Sequence, residues 1–165
     1  MTREEFLAHF EDVFEHSPWI AARVWDSGLD SRHDSASGLH QAFAGVIQAA
    51  DYEQKMSLLR AHPQLAVGVA SVEELTASSQ AEQRGAGLDR CTPQEYAEFR
   101  CLNEDYLARF NFPFIMAVKG YDRLQILQAF RARKNNDEEQ EFQAAIDQVI
   151  RIGLLRIQNK FEMCE

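Results

Sequence analysis

Apolar residues recur along this chain at helical spacings, and convincing period-two alternation is absent. Thr2-Arg3-Glu4-Glu5 has the capping-box pattern, and Phe6, Phe10, Val13 and Phe14 follow, which predicts a helix over about residues 3 to 15. Ser17-Pro18 offers a serine cap with proline at the first helical position; Ile20, Val24 and Trp25 then mark a second short helix before Gly28. Residues 28–37 are polar and turn-rich, the best candidate for a mobile loop. Leu39, Phe43, Val46 and Ile47 mark a third helix. Met56, Leu58 and Leu59 mark a fourth, which ends near His62 because Pro63 disfavours helical geometry in the residue before it. In Ser79-Gln80-Ala81-Glu82 the serine can cap a helix with Glu82 reaching back to it, and Gly85 to Gly87 end that helix. Thr92-Pro93-Gln94-Glu95 opens a long helix with the stripe Tyr96, Phe99, Leu102, Tyr106 and Phe110. A short helix buries Leu124, Leu127 and Phe130. The last, from about Asp137, presents Phe142, Ile146, Val149, Ile150, Leu154, Ile157 and Phe161 on one face. The expectation is an all-α, single-domain helical bundle of about seven to nine helices spanning 1–165.

Length and composition agree, since 165 residues at 45% hydrophobic suit one ordinary domain with a sizeable core. The charged amino terminus resembles neither a secretory signal nor a transit peptide, and the longest apolar stretches, 65–70 and 112–118, fall far below the roughly 20 residues of a membrane span. Three widely spaced cysteines, Cys91, Cys101 and Cys164, suit neither a disulfide framework nor a zinc knuckle. A net charge of -9 with scattered basic residues excludes nucleic acid as a natural partner. The expected setting is the cytoplasm. The same charge would repel an anionic substrate unless arginines in a pocket reverse the local field.

Three polar groupings carry candidate chemistry. His62, before Pro63, is either a well-aimed proton donor near neutral pH or a solvent-exposed histidine at a helix end. His9, His16, His33 and His40 are assigned to solvent, because their seven-residue spacings do not match a helical metal site. Ser79, Gln80, Glu82 and Gln83 put hydroxyl, amide and carboxylate groups within one and a half turns, suited to a small amide-rich heterocycle, although capping explains the same residues. Phe112 to Val118 is core or a buried extended segment, and its backbone is free of a regular ladder and able to face a ligand. Arg156 is either a snorkelling side chain or the cationic clamp that offsets the negative charge.

In combination, His62-Pro63-x-Leu65-Ala66, Ser79-x-x-Glu82-Gln83 with Ala86-Gly87-Leu88, Leu102-Asn103-x-x-Tyr106-x-x-x-Phe110-x-Phe112-Pro113-Phe114-Ile115-x-Ala117-Val118-Lys119-Gly120, Arg131-x-Arg133-x-Asn135, Glu141 and Arg156 resemble the family of 2-oxo-4-hydroxy-4-carboxy-5-ureidoimidazoline (OHCU) decarboxylases, over roughly residues 5–160. The resemblance implies a cofactor-free, metal-free helical enzyme of urate catabolism, following urate oxidase and hydroxyisourate hydrolase, that converts OHCU to (S)-allantoin and carbon dioxide. It implies His62 as proton donor and Glu82 as its companion. It further implies substrate contacts from Pro63, Ser79, Gln80, Ala81, Glu82, Gln83, Phe114, Ile115, Met116, Ala117, Val118 and Arg156. Two departures stand out: Ala66-Val67-Gly68-Val69-Ala70 is less polar than expected after the His-Pro motif, and the carboxyl terminus lacks a Ser-Lys-Leu type signal. The runner-up is a non-catalytic helical module that binds a partner protein through 112–118. Exposed apolar residues on the first or last helix would suit a homodimer.

Overall fold

A computed structural model describes residues 1–67 and 75–163, so Gly68 to Ala70 and Cys164 of the sequence reading lie outside the described residues. The described residues form eight α-helices, two 3-10 turns and no strand: α1 (Arg3–Phe10), α2 (Pro18–Asp26), α3 (Ala36–Ala49), α4 (Tyr52–Arg60), α5 (Ala77–Gly85), α6 (Pro93–Phe110), α7 (Arg123–Arg133) and α8 (Glu138–Glu162). The all-α expectation holds. Two compact units emerge, Met1–Ala61 with Val149–Glu165, and His62–Gln148, with α8 contributing to both. Among the described residues no helix is long and apolar enough to cross a membrane.

In the unit containing the amino terminus, the Thr2 capping box starts α1 as expected, but the helix stops at Phe10 instead of running to residue 15. Val13, Phe14 and Glu15 are nonetheless buried, in a turn rather than a helix. This turn has a tertiary partner: Arg156 donates from Nη1 to the Val13 carbonyl at 3.1 Å and from Nη2 to the Glu15 carboxylate at 3.0 Å. Both side chains of this pair are almost fully buried. Ser17 does not cap α2 with its hydroxyl, which donates instead to the Glu15 carbonyl at 2.9 Å; Pro18 still opens the helix. Residues 28–37 contain a 3-10 turn, Ser31–Asp34, capped by Asp30, and Ser35 caps α3. His40 is half-buried, with Nε2 at 2.9 Å from the Ile150 carbonyl, and His33 is half-buried beside Asp30, so the assignment of all four histidines to solvent holds for His9 and His16 alone.

The core of this unit is aromatic, with Phe6, Phe10 and Phe14 gathered around Phe43, whose ring centroid lies 5.8 Å from that of Phe14. Gly153 of α8 admits this packing, because a Cβ there would stand 2.4 Å from Phe14 Cζ. Gly153→Ala adds helix propensity of about 1 kcal/mol, yet it forces the buried Phe14 ring to shift within a packed core. The expected net result in denaturant unfolding is a loss of about 1–3 kcal/mol; a stabilised variant would show the contact to be soft.

In the second unit the Thr92 box and Pro93 start α6 as read from the sequence, and Asn111, at φ +61, ends it in a left-handed cap. The chain then runs buried and without regular structure through 112–118. Phe114 stacks on Phe130 of α7 at 3.9 Å between centroids, and Tyr106 meets both rings edge-on. Two expectations fail here. Leu124 is 62% exposed, and α7 buries Ile126, Leu127 and Phe130. The cap of α5 is Thr76, whose hydroxyl accepts from the Ser79 amide, so Ser79 lies inside the helix and is buried. An earlier threonine at the right offset took the role of the serine.

Candidate functional site

His62 is 7% exposed, which removes the solvent-exposed alternative for it. Beyond Pro63, three amide contacts hold three consecutive residues. Gln83 of α5 accepts the Ala66 N–H at its Oε1 and donates from Nε2 to the Gln64 carbonyl, both at 3.1 Å. Asn103 of α6 donates from Nδ2 to the Leu65 carbonyl at 2.9 Å. Ala66 takes φ +53, a left-handed conformation costing a residue with a Cβ roughly 1–3 kcal/mol, which these bonds offset. Because Gln83 is the neighbour of Glu82 on α5, the same grip brings the Ser79–Gln83 stretch against the residues that follow His62.

Within that stretch Ser79 and Gln83 are buried, Gln80 and Glu82 half-buried and Ala81 exposed. Gln80 donates from Nε2 to the Leu75 carbonyl at 3.0 Å, and both amide atoms of Gln83 serve the 64–66 backbone. A cavity of about 570 Å³ is lined by Gln64, Ala66, Val67, Tyr96, Arg100 and Asn103 among others, and no residue of the expected site lines it.

The 112–118 segment is held by charge. Glu141 of α8, fully buried, accepts from Arg133, from the Tyr106 hydroxyl and, at 2.9 Å, from Asn136 Nδ2. Arg133 also donates from Nη1 to the Ile115 carbonyl at 2.6 Å, and its guanidinium lies 4.5 Å from the Phe114 ring centroid. Burial, with the Glu141 carboxylate beside it, pushes the Tyr106 hydroxyl far above its ordinary value, so the phenol stays a neutral donor. The Ala117 N–H donates to Gln148 Oε1 at 2.9 Å. Of the backbone expected to face a ligand, the Ile115 carbonyl and Ala117 amide therefore have protein partners. Phe112, Phe114, Ile115, Ala117 and Val118 are all buried and Met116 half-buried, which takes away the exposed apolar surface on which a partner-binding module would depend.

The structure thus joins the His62-Pro63 stretch to the α5 cluster, and it holds 112–118 in the same unit. Arg156 belongs to the other unit, where Glu15 and the Val13 carbonyl engage two of its donors. Asn103 and the partnership of Arg133 with Glu141 had no assigned role in the sequence reading. One signal was present: Asn103 interrupts the apolar stripe of a long helix, and a polar residue on a buried face implies a specific partner. Among the described residues no group of three or more His, Cys, Asp or Glu side chains is gathered as a metal site requires.

The family model for OHCU decarboxylase matches residues 1–158. The chain belongs to the OHCU decarboxylase family. A family relative from Halalkalicoccus jeotgali, the 2-oxo-4-hydroxy-4-carboxy-5-ureidoimidazoline decarboxylase, is 41% identical over 156 residues, covering 94% of this chain and 85% of its own. The uric acid degradation bifunctional protein PucL of Bacillus subtilis is 41% identical over 145 residues, which cover 88% of this chain and 28% of that larger protein. In three dimensions, the crystal structure of an (S)-allantoin synthase superposes with a TM-score of 0.76 at 25% identity, over 97% of this chain and 51% of that one. The family thus shares this helical architecture and occurs both alone and within larger chains.

Proposed function

We propose that this protein decarboxylates OHCU to (S)-allantoin and carbon dioxide, with His62 as the proton donor and Glu82 as its companion, residues 1–165 acting as one domain of this type. What carries the reading is the family match over nearly the whole chain, and what supports the choice of residues is the Gln83 bridge between the two motif segments.

The chemistry suits these side chains. Breaking the bond to the carboxylate releases an electron pair that forms a carbon-carbon double bond as the neighbouring carbon-nitrogen π pair moves onto nitrogen. The substrate thereby supplies its own electron sink. The ring nitrogen that received the electron pair takes up a proton; the resulting enol needs a second on the ureido-bearing carbon, delivered to a single face, and loses its hydroxyl proton to become the ring carbonyl, for a net uptake of one proton. The protein must orient the leaving carboxylate, bind the ring and ureido amides, and aim that proton. An imidazole stiffened by the following proline suits the last task. Ser79 to Gln83 and Phe114 to Val118 supply amide and hydroxyl contacts to the heterocycle in this reading, with Pro63 as an apolar wall. Arg156 enters as the anion clamp through the family resemblance alone. The upstream steps are oxidation of urate and hydrolysis of hydroxyisourate; a cytoplasmic setting and a homodimer complete the reading.

The purified chain, supplied with urate, urate oxidase, hydroxyisourate hydrolase and a chelator, should accelerate formation of dextrorotatory allantoin as followed by circular dichroism. No acceleration over the spontaneous rate would end the proposal. Glu82→Gln should lower kcat roughly 10²-fold at an unchanged unfolding midpoint, and near-parental turnover would remove Glu82 from the mechanism.

A further inference from the structure

We infer that Asn103 is a positioning residue for the reaction, holding the chain that follows His62-Pro63 in its one productive shape. The inference rests on the decarboxylase reading above. Asn103 lies on the buried face of α6 with Phe99, Leu102 and Tyr106, and is 5% exposed. Its Nδ2 donates to the Leu65 carbonyl, while its Oδ1 is buried with no hydrogen-bond partner among the described residues. A half-satisfied amide is a poor choice for packing, because a leucine, with the same branching, would fill the space without an orphaned acceptor. The position therefore calls for the donor, and among the described residues its hydrogen-bond partner is the Leu65 carbonyl.

That carbonyl sits in the middle of the held stretch, between Gln64 and Ala66, both gripped by Gln83. Ala66 at φ +53 gains by relaxing toward negative φ, and Asn103 is what opposes that from α6. Any rotation at Leu65 passes back along a stiff lever, since Pro63 has a fixed φ and His62 is confined as a pre-proline residue. The displacement reaches the imidazole instead of dissipating in a flexible loop. α6 is itself anchored one turn further on, where Tyr106 donates to the buried Glu141. Asn103 thus connects a rigid helix to the segment that aims the proton, without touching substrate.

Two variants test this in the coupled assay, each beside the parent chain. Asn103→Leu removes the orphaned acceptor but leaves the Leu65 carbonyl without its donor, a loss of about 1–3 kcal/mol, so its unfolding midpoint should fall by roughly 2–12 °C with the protein still folded at assay temperature. Its kcat should fall roughly 10- to 100-fold with KM changed less than about threefold, and its excess of (S)- over (R)-allantoin should erode as a misaimed donor lets solvent protonate either face. A residue of merely structural importance would move the midpoint as well but leave the stereochemical excess intact. Asn103→Asp keeps the shape but sets a carboxylate oxygen against the Leu65 carbonyl. Burial raises the pKa of such a carboxyl, and once protonated it can donate to that carbonyl. Relative to the parent, its activity should therefore recover as pH falls from about 8 to about 6, an outcome readable even if Asn103→Leu fails to fold. Parental kcat and stereochemical excess in Asn103→Leu, or a pH-independent activity ratio in Asn103→Asp, would overturn the positioning role alone. A parent chain with no turnover would overturn the decarboxylase reading and this role with it.

Discussion

Glu141→Leu is expected to lower the unfolding midpoint by roughly 6–20 °C, the equivalent of about 3–5 kcal/mol. The carboxylate is fully buried and is the common acceptor for Arg133, Tyr106 and Asn136. Leucine replaces its volume but leaves the Arg133 guanidinium, half-buried, without a counter-charge, and orphans a buried phenol that cannot ionise to help. Losing one member of such a set is far worse than losing both, because the penalty comes from the group left behind. The double variant Glu141→Leu with Arg133→Met should accordingly be more stable than Glu141→Leu alone. The two would still differ from the parent in function, since Arg133 also holds the Ile115 carbonyl and stacks on Phe114. Thermal unfolding of the three proteins decides it: a single variant as stable as the parent would show that the network contributes nothing to stability.

His62→Asn should lower kcat by roughly 10²- to 10⁴-fold, the range that a positioned proton donor contributes, and should abolish the enantiomeric excess of the product. Asparagine retains the hydrogen-bonding character of the buried side chain but cannot deliver a proton near neutral pH. Residual decarboxylation can continue, because the electron sink belongs to the substrate; what disappears is control over which face is protonated. The combination of slow turnover and racemic product is therefore the signature. A variant that is slow but still makes (S)-allantoin in excess would assign the proton to another group and leave His62 a binding role.

Glu141 draws its partners from α6 and α7, and this division between local and distant partners runs through the whole fold. The capping boxes at Thr2 and Thr92, the prolines opening α2 and α6 and the apolar stripe of α6 were legible because each depends on residues three or four apart. The failures came where a distant group competed for a local one. Arg156 holds the Val13 carbonyl and the Glu15 carboxylate in a turn where the first helix was expected to continue. Thr76 outranks Ser79 as a cap because Ser79 lies on the buried face of α5. Leu124 follows the helical period but points away from the core.

The candidate site divides in the same way. His62, Glu82 and the 112–118 segment were recognisable as motifs, because residue type and spacing survive in a linear string. Their support was not recognisable. Gln83 reads as a ligand contact from its neighbours in sequence, and only the fold reveals that its amide grips Gln64 and Ala66. By itself the sequence determined the helical class and the main helix starts, and it offered the candidate site residues, since those are local consequences of backbone geometry and side-chain chemistry. Tertiary structure alone decided which polar groups are partners, pairing Arg156 with Glu15, Glu141 with Arg133 and Asn103 with Leu65, because a buried hydrogen bond depends on separation in space, to which separation along the chain is no guide.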